Sequence, residues 1–98
     1  MIRPKMKDKI GKSIIIKGKV QGVFFRASAF ETAERLGVQG WVRNQPDGSV
    51  AMEVYGPVSA VAAMVVWCGE GSEFSKVKEV QAEDLPYSEV YNSFNILY

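Results

Sequence analysis

The chain has 98 residues, 47% of them apolar and 23% charged, with a formal net charge of +1, a composition that fits one soluble domain and leaves no room for a second core. It contains no histidine and a single cysteine, which removes Ser–His–Asp and Cys–His catalysis, the commonest metal ligand and any internal disulfide. The longest apolar run, Ala60 to Cys68, spans nine residues, under half of the ~20 that a bilayer-spanning helix needs.

Residues 1–12 read as a flexible basic arm, with Arg3, Lys5, Lys7, Lys9 and Lys12 against Asp8 alone. No aromatic residue interleaves these charges, so a solvated terminus is expected rather than a nucleic-acid or membrane contact. No apolar core follows them, so no secretory signal is visible, and a cytoplasmic location is expected. Residues 13–98 read as the folded domain. From Ser13 to Val20, Ile14, Ile16, Gly18 and Val20 share one face and Lys17 and Lys19 the other, the period of a half-buried strand. Ala29, Phe30, Ala33 and Leu36 then recur at helical spacing from Arg26 onward, and Gly37 is a natural stop.

Val38 to Asn44 is a second strand and "QPDG" a turn, with proline where φ is preset and glycine where it can be positive. Val50, Met52 and Val54 alternate along a third strand, so strands two and three form a hairpin. Pro57 suits the start of a second helix that ends near Gly69. Val61, Met64, Val65 and Cys68 can face the sheet, while Val58, Ala62 and Val66 form a second apolar stripe. That stripe is read as scattered surface on a monomer, with weak self-association as the alternative. Lys76 to Ala82 gives a fourth strand and "SFNILY" a short closing one. The order β-α-β-β-α-β predicts an α+β, ferredoxin-like sandwich: two helices on one face of an antiparallel sheet, plus a short extra C-terminal strand.

Between the first strand and the first helix lies "VQGVFFR", Val20 to Arg26. Gly22 permits backbone that side chains would block, and successive N–H groups entering a helix make a concave anion site. Arg26 adds a planar fork matched to phosphate. The bland alternative is a strand end with Phe24 and Phe25 buried and Arg26 solvated. These seven residues alone leave both readings open.

"GKVQGVFFR" (Gly18 to Arg26) and "GWVRNQPDGSVAMEVYG" (Gly40 to Gly56) resemble the two signature motifs of the acylphosphatase family, and the resemblance covers roughly residues 13–97. It implies hydrolysis of the carboxyl-phosphate bond of acyl phosphates with no metal and no cofactor. It maps the phosphate-binding arginine onto Arg26, the water-positioning asparagine onto Asn44, and the backbone cradle onto Gln21, Gly22, Val23, Phe24 and Phe25. Two positions depart from it: Ala29 stands where many members carry threonine, and Gln45 follows the asparagine where some carry threonine. The implied partners are a small acyl phosphate as substrate and inorganic phosphate, or another oxyanion, as product or inhibitor.

The missing histidine agrees with such chemistry. A departing carboxylate, whose acid has a pKa of about 4, needs no general acid. Arginine and fixed N–H dipoles can carry the charge that spreads over a phosphoryl group in flight. The rival readings are an anion- or small-molecule-binding regulatory module without turnover and an RNA-recognition module of the same strand order. The latter stacks bases on aromatics of its first and third strands, where only Tyr55 is available. "GKS" at Gly11 to Ser13 lacks the glycine that a P-loop needs five residues earlier. Cys68 reads as a packed core thiol.

Overall fold

β1 (Lys9–Lys19), α1 (Phe25–Leu36), β2 (Gln39–Asn44), β3 (Val50–Pro57), α2 (Val58–Glu70), β4 (Lys76–Leu85) and β5 (Phe94–Leu97) follow one another along the chain. They are given by a computed structural model that describes residues 8–98; residues 1–7 of the expected basic arm lie outside the described residues. The sheet order is β4-β1-β3-β2-β5. β1, β3, β2 and β4 pair antiparallel, the arrangement expected from the sequence, while β5 joins β2 in parallel and makes the sheet mixed.

β1 begins at Lys9, four residues before the strand expected from the sequence. The reason is its central place: Lys9 to Lys12 pair with Pro57 to Val54 of β3, and Gly11 and Lys12 also pair with Leu85 and Asp84 of β4. The backbone there is satisfied on the ladder whatever the side chains carry, and the Lys12 ammonium meets the Asp84 carboxylate on the neighbouring strand. Charge density made a strand look like a solvated arm.

The core lies between the sheet and the two helices. Ile14, Ile16, Val42, Met52 and Val54 are buried with Ala29 and Ala33 of α1 and with Val61, Met64 and Cys68 of α2. On α1 the buried face is Phe25, Ala29, Thr32 and Ala33, so Phe30, placed on the core face by spacing, is instead 36% exposed. Thr32 takes up buried space because its hydroxyl donates to the Ser28 carbonyl at 2.8 Å, which removes the cost of burying it unpaired. On α2 the Val61, Met64 and Cys68 stripe is buried and Val58 and Val66 stand exposed. Burial pushes the Cys68 thiol up to about 12, so it remains a neutral core group.

Tyr55, at the end of β3, is buried against a layer of its own kind. Its ring stacks on Tyr91 at 5.5 Å and meets Tyr87 edge-on at 6.5 Å. The one aromatic that a base could have stacked on is thus already covered. Among the described residues no helix is long and apolar enough to cross a membrane.

Candidate active site

Two segments converge at one end of the sheet. The first is the connection from β1 to α1. Gly22 sits at φ 74° and Phe24 at φ 61°, ψ 26°, so two left-handed residues stand two apart. For a phenylalanine that conformation costs roughly 1–2 kcal/mol, and here it turns the chain directly into the helix. Phe24 occupies the position before the first helical residue and offers no side-chain cap. Among the described residues, no backbone or side-chain acceptor takes the N–H groups of Gln21 to Phe25. These are the orphan donors of a helix start, bent into a concave turn, and an anion can satisfy them.

Phe24 and Phe25 take opposite roles. Phe25 is buried and packs on Trp67 with ring centroids 5.0 Å apart, which fixes the first turn of α1 to α2. Phe24 leaves 75% of its surface exposed. The bend is held from below by Ser72, whose buried hydroxyl donates to the Val23 carbonyl at 2.8 Å.

The second segment is the β2–β3 hairpin. Asn44 ends β2 opposite Val50, so its backbone is fixed by the ladder. The turn after it is stiff: the Gly48 N–H donates to the Gln45 carbonyl at 3.1 Å, and Asp47 accepts from the Ser49 N–H at 2.9 Å and its hydroxyl at 2.6 Å. Those two hydrogen bonds hold the Asp47 carboxyl below the usual carboxylate range.

Gln21 joins the two segments. Its side-chain amide donates to the Gln45 carbonyl at 2.8 Å and to the Ser49 carbonyl at 2.9 Å. Both amide hydrogens go to the hairpin, so this side chain is a strut between the anion turn and the strand end that carries Asn44. Each such bond contributes about 1 kcal/mol net. Gln21→Ala is therefore expected to lower any turnover in this cleft about 10-fold, through misplacement of the two segments, and to cost ~1–2 kcal/mol in denaturant unfolding. A variant that loses stability while keeping full kcat per folded molecule would reduce Gln21 to a purely structural brace.

Between the segments opens a cleft of about 340 Å³, lined by Val20, Gly22, Phe24, Phe25, Arg26, Ala27, Asn44, Ile96 and Tyr98. Arg26 and Asn44, expected from the sequence to act together, share it with Gly22, Phe24 and Phe25. Gln21 and Val23, the other two expected cradle residues, do not line it: one side chain is the strut and the other is buried. Ala29 is fully buried, so the side chain at that position belongs to the core here. Gln45 contributes its carbonyl to the strut.

Sequence reasoning missed the third wall. β5 runs beside β2 with Leu97 opposite Arg43, which brings Ile96 and Tyr98 to the cleft. The Arg26 guanidinium donates to the Leu97 carbonyl at 3.3 Å and lies 4.8 Å from the centroid of the Tyr98 ring. One weak hydrogen bond and a ring face orient the group and leave most of its five donors for a ligand. The closing strand was legible as a strand, but nothing in "SFNILY" named its partner; Ser72, 46 residues from Arg26 in the chain, carried no signal.

Chemically, the described residues of the cleft offer one permanent cation, a row of oriented N–H donors and one carboxamide. Among the described residues no group of three or more His, Cys, Asp or Glu side chains is placed to hold a metal ion. This donor set suits a phosphoryl group.

Comparison with known proteins gives the same direction. Residues 12–96 match the family model described as Acylphosphatase. The chain is 49% identical over 78 residues to an acylphosphatase of Anaeromyxobacter dehalogenans, covering 80% of this chain and 84% of that one. It is 44% identical over 97 residues to an acylphosphatase of Aeropyrum pernix, covering 97% and 96%. Among solved structures, an acylphosphatase from Coxiella burnetii superposes with a TM-score of 0.90 at 31% identity, covering 98% of this chain and all of that one.

Proposed function

The chain belongs to the acylphosphatase family, and on that premise we propose how its own residues carry out the reaction. The enzyme hydrolyses the carboxyl-phosphate bond of acyl phosphates to a carboxylate and inorganic phosphate. The phosphoryl oxygens sit on the backbone N–H groups of the turn from Gln21 to Phe25, of which Gly22, Phe24 and Phe25 line the cleft, clamped by the Arg26 guanidinium. The Asn44 carboxamide orients a water in line with the bond to be broken. Water oxygen bonds to phosphorus as the acyl oxygen leaves with its electron pair, and the water's proton passes to the phosphoryl group. Asparagine cannot act as a base, so the barrier falls by charge stabilisation and aim rather than by proton removal.

The observation that carries this reading is the shared cleft: Arg26 and Asn44, 18 residues apart in the chain, both line it beside the turn whose N–H groups have no partner among the described residues. In the same reading the enzyme works as a cytoplasmic monomer on a small substrate, with residues 9–98, from the start of β1, as the working domain and no need of membrane or nucleic acid.

The mechanism supplies no help to a basic leaving group. Benzoyl phosphate is therefore expected to be turned over, while an alkyl phosphate monoester at the same concentration gives less than about a thousandth of that rate, because an alkoxide leaves poorly without a general acid. Equal turnover of the two by the pure protein would falsify the mechanism.

A further inference from the structure

The roles given to Arg26, Asn44 and the turn account for the phosphoryl half of the substrate and leave part of the cleft wall unused. That part is apolar. Phe24 and Tyr98, both exposed, and the half-buried Ile96 form it, and among the described residues Arg26 is the only cation in the cleft. Phe24 is the odd member. It holds a backbone conformation that side chains disfavour, and its large ring is 75% exposed where the core could have taken it. Folding gains nothing from either feature, since exposed aromatic surface contributes no burial and a left-handed phenylalanine is strained. Across the cleft the Tyr98 ring lies against Arg26, its other face in solvent.

We propose that Phe24 is a specificity-determining residue whose ring, with that of Tyr98, forms the wall against which the acyl group lies, and that the enzyme's preferred substrates are acyl phosphates with flat, apolar acyl groups. This inference rests on the placement of the phosphoryl group at Arg26. With the phosphoryl group on the guanidinium, the acyl part must extend along the remaining walls, and two exposed aromatic rings gain area only when an apolar group covers them. Among the described residues lining the cleft, a second anionic group on the substrate would find no cationic partner, because the guanidinium is already engaged. Substrates carrying a further carboxylate are therefore disfavoured.

The test is the ratio of kcat/KM for benzoyl phosphate over acetyl phosphate in the wild type, Phe24→Asn, Phe24→Tyr and Arg26→Ala. Asparagine tolerates the left-handed conformation, so the first variant keeps the turn and removes the ring. Phe24→Asn is expected to lower the ratio about 10-fold, and Phe24→Tyr to hold it within about 2-fold. Succinyl phosphate, with its extra carboxylate, is expected to be the poorest of the three substrates for the wild type. An unchanged ratio in Phe24→Asn overturns the proposal. If that ratio is flat while Arg26→Ala loses both activities, the acyl wall fails and the phosphoryl site stands. If Arg26→Ala hydrolyses both like the wild type, the phosphoryl site fails and takes the wall with it.

Discussion

Arg26→Ala is expected to lower kcat for benzoyl phosphate by about 100- to 1000-fold, the loss typical of one preorganised donor at a developing charge. Among the described residues Arg26 is the only cation lining the cleft, so none of them can replace it. Arg26→Lys should recover only a small part of the rate, since an ammonium is a point charge and cannot match two phosphoryl oxygens at once. Folding should hardly change. The guanidinium makes one 3.3 Å hydrogen bond to the Leu97 carbonyl and lies against the exposed ring of Tyr98, contacts that together contribute up to about 1 kcal/mol at the surface. Steady-state kinetics beside a urea melt check both halves. A variant that keeps more than about a tenth of wild-type kcat would move the phosphoryl group away from Arg26, because removal of a true donor costs more than that.

Asn44→Ala should divide the kinetic constants differently. If the carboxamide aims the water, its loss strikes the step in which water attacks and leaves the anion site intact. kcat is expected to fall about 100-fold, while inhibition by inorganic phosphate changes less than about 3-fold if the phosphate rests on the turn and Arg26 as proposed. Asn44→Asp should be worse in both respects, because a carboxylate beside the phosphoryl oxygens repels the substrate. A parallel loss of phosphate inhibition in Asn44→Ala would turn Asn44 into a phosphate ligand. The fixed pairing of Asn44 with Val50 at the end of β2 makes a backbone artefact in these variants a small concern.

Much of this candidate cleft could be read from the chain because its parts are local. The turn from Val20 to Arg26 carries its own glycine and its own arginine, and the hairpin announces itself through alternation and "QPDG". What stayed hidden is set by distance along the chain or by competition between two uses of one residue. Spacing put Phe30 in the core and gave no place to Thr32, because periodicity cannot see that the Ser28 carbonyl satisfies a hydroxyl. Lys9 and Lys12 looked solvated, since the acid that meets Lys12 is Asp84, on another strand. Gln21 read as one more backbone donor, yet its side chain spans to Gln45 and Ser49. Phe24 and Phe25 are adjacent and chemically alike, and only the left-handed backbone of Phe24 sends one outward and the other inward. Tyr98 reaches the cleft solely because β5 runs parallel to β2.

The strand order has a consequence for how competence arises. Arg26 follows β1 and Asn44 ends β2, and these strands are not neighbours: β3 lies between them. A chain that has closed only its β2–β3 hairpin has placed Asn44 but not the turn and Arg26 proposed to hold the anion. Turnover must then await the long-range zipping of Lys9–Ile16 onto Val50–Pro57, the slow, entropy-limited event in a topology of this kind. During renaturation, restored hydrolysis is thus a clock for the knitting of the middle of the sheet, and hairpin signals alone will run ahead of it.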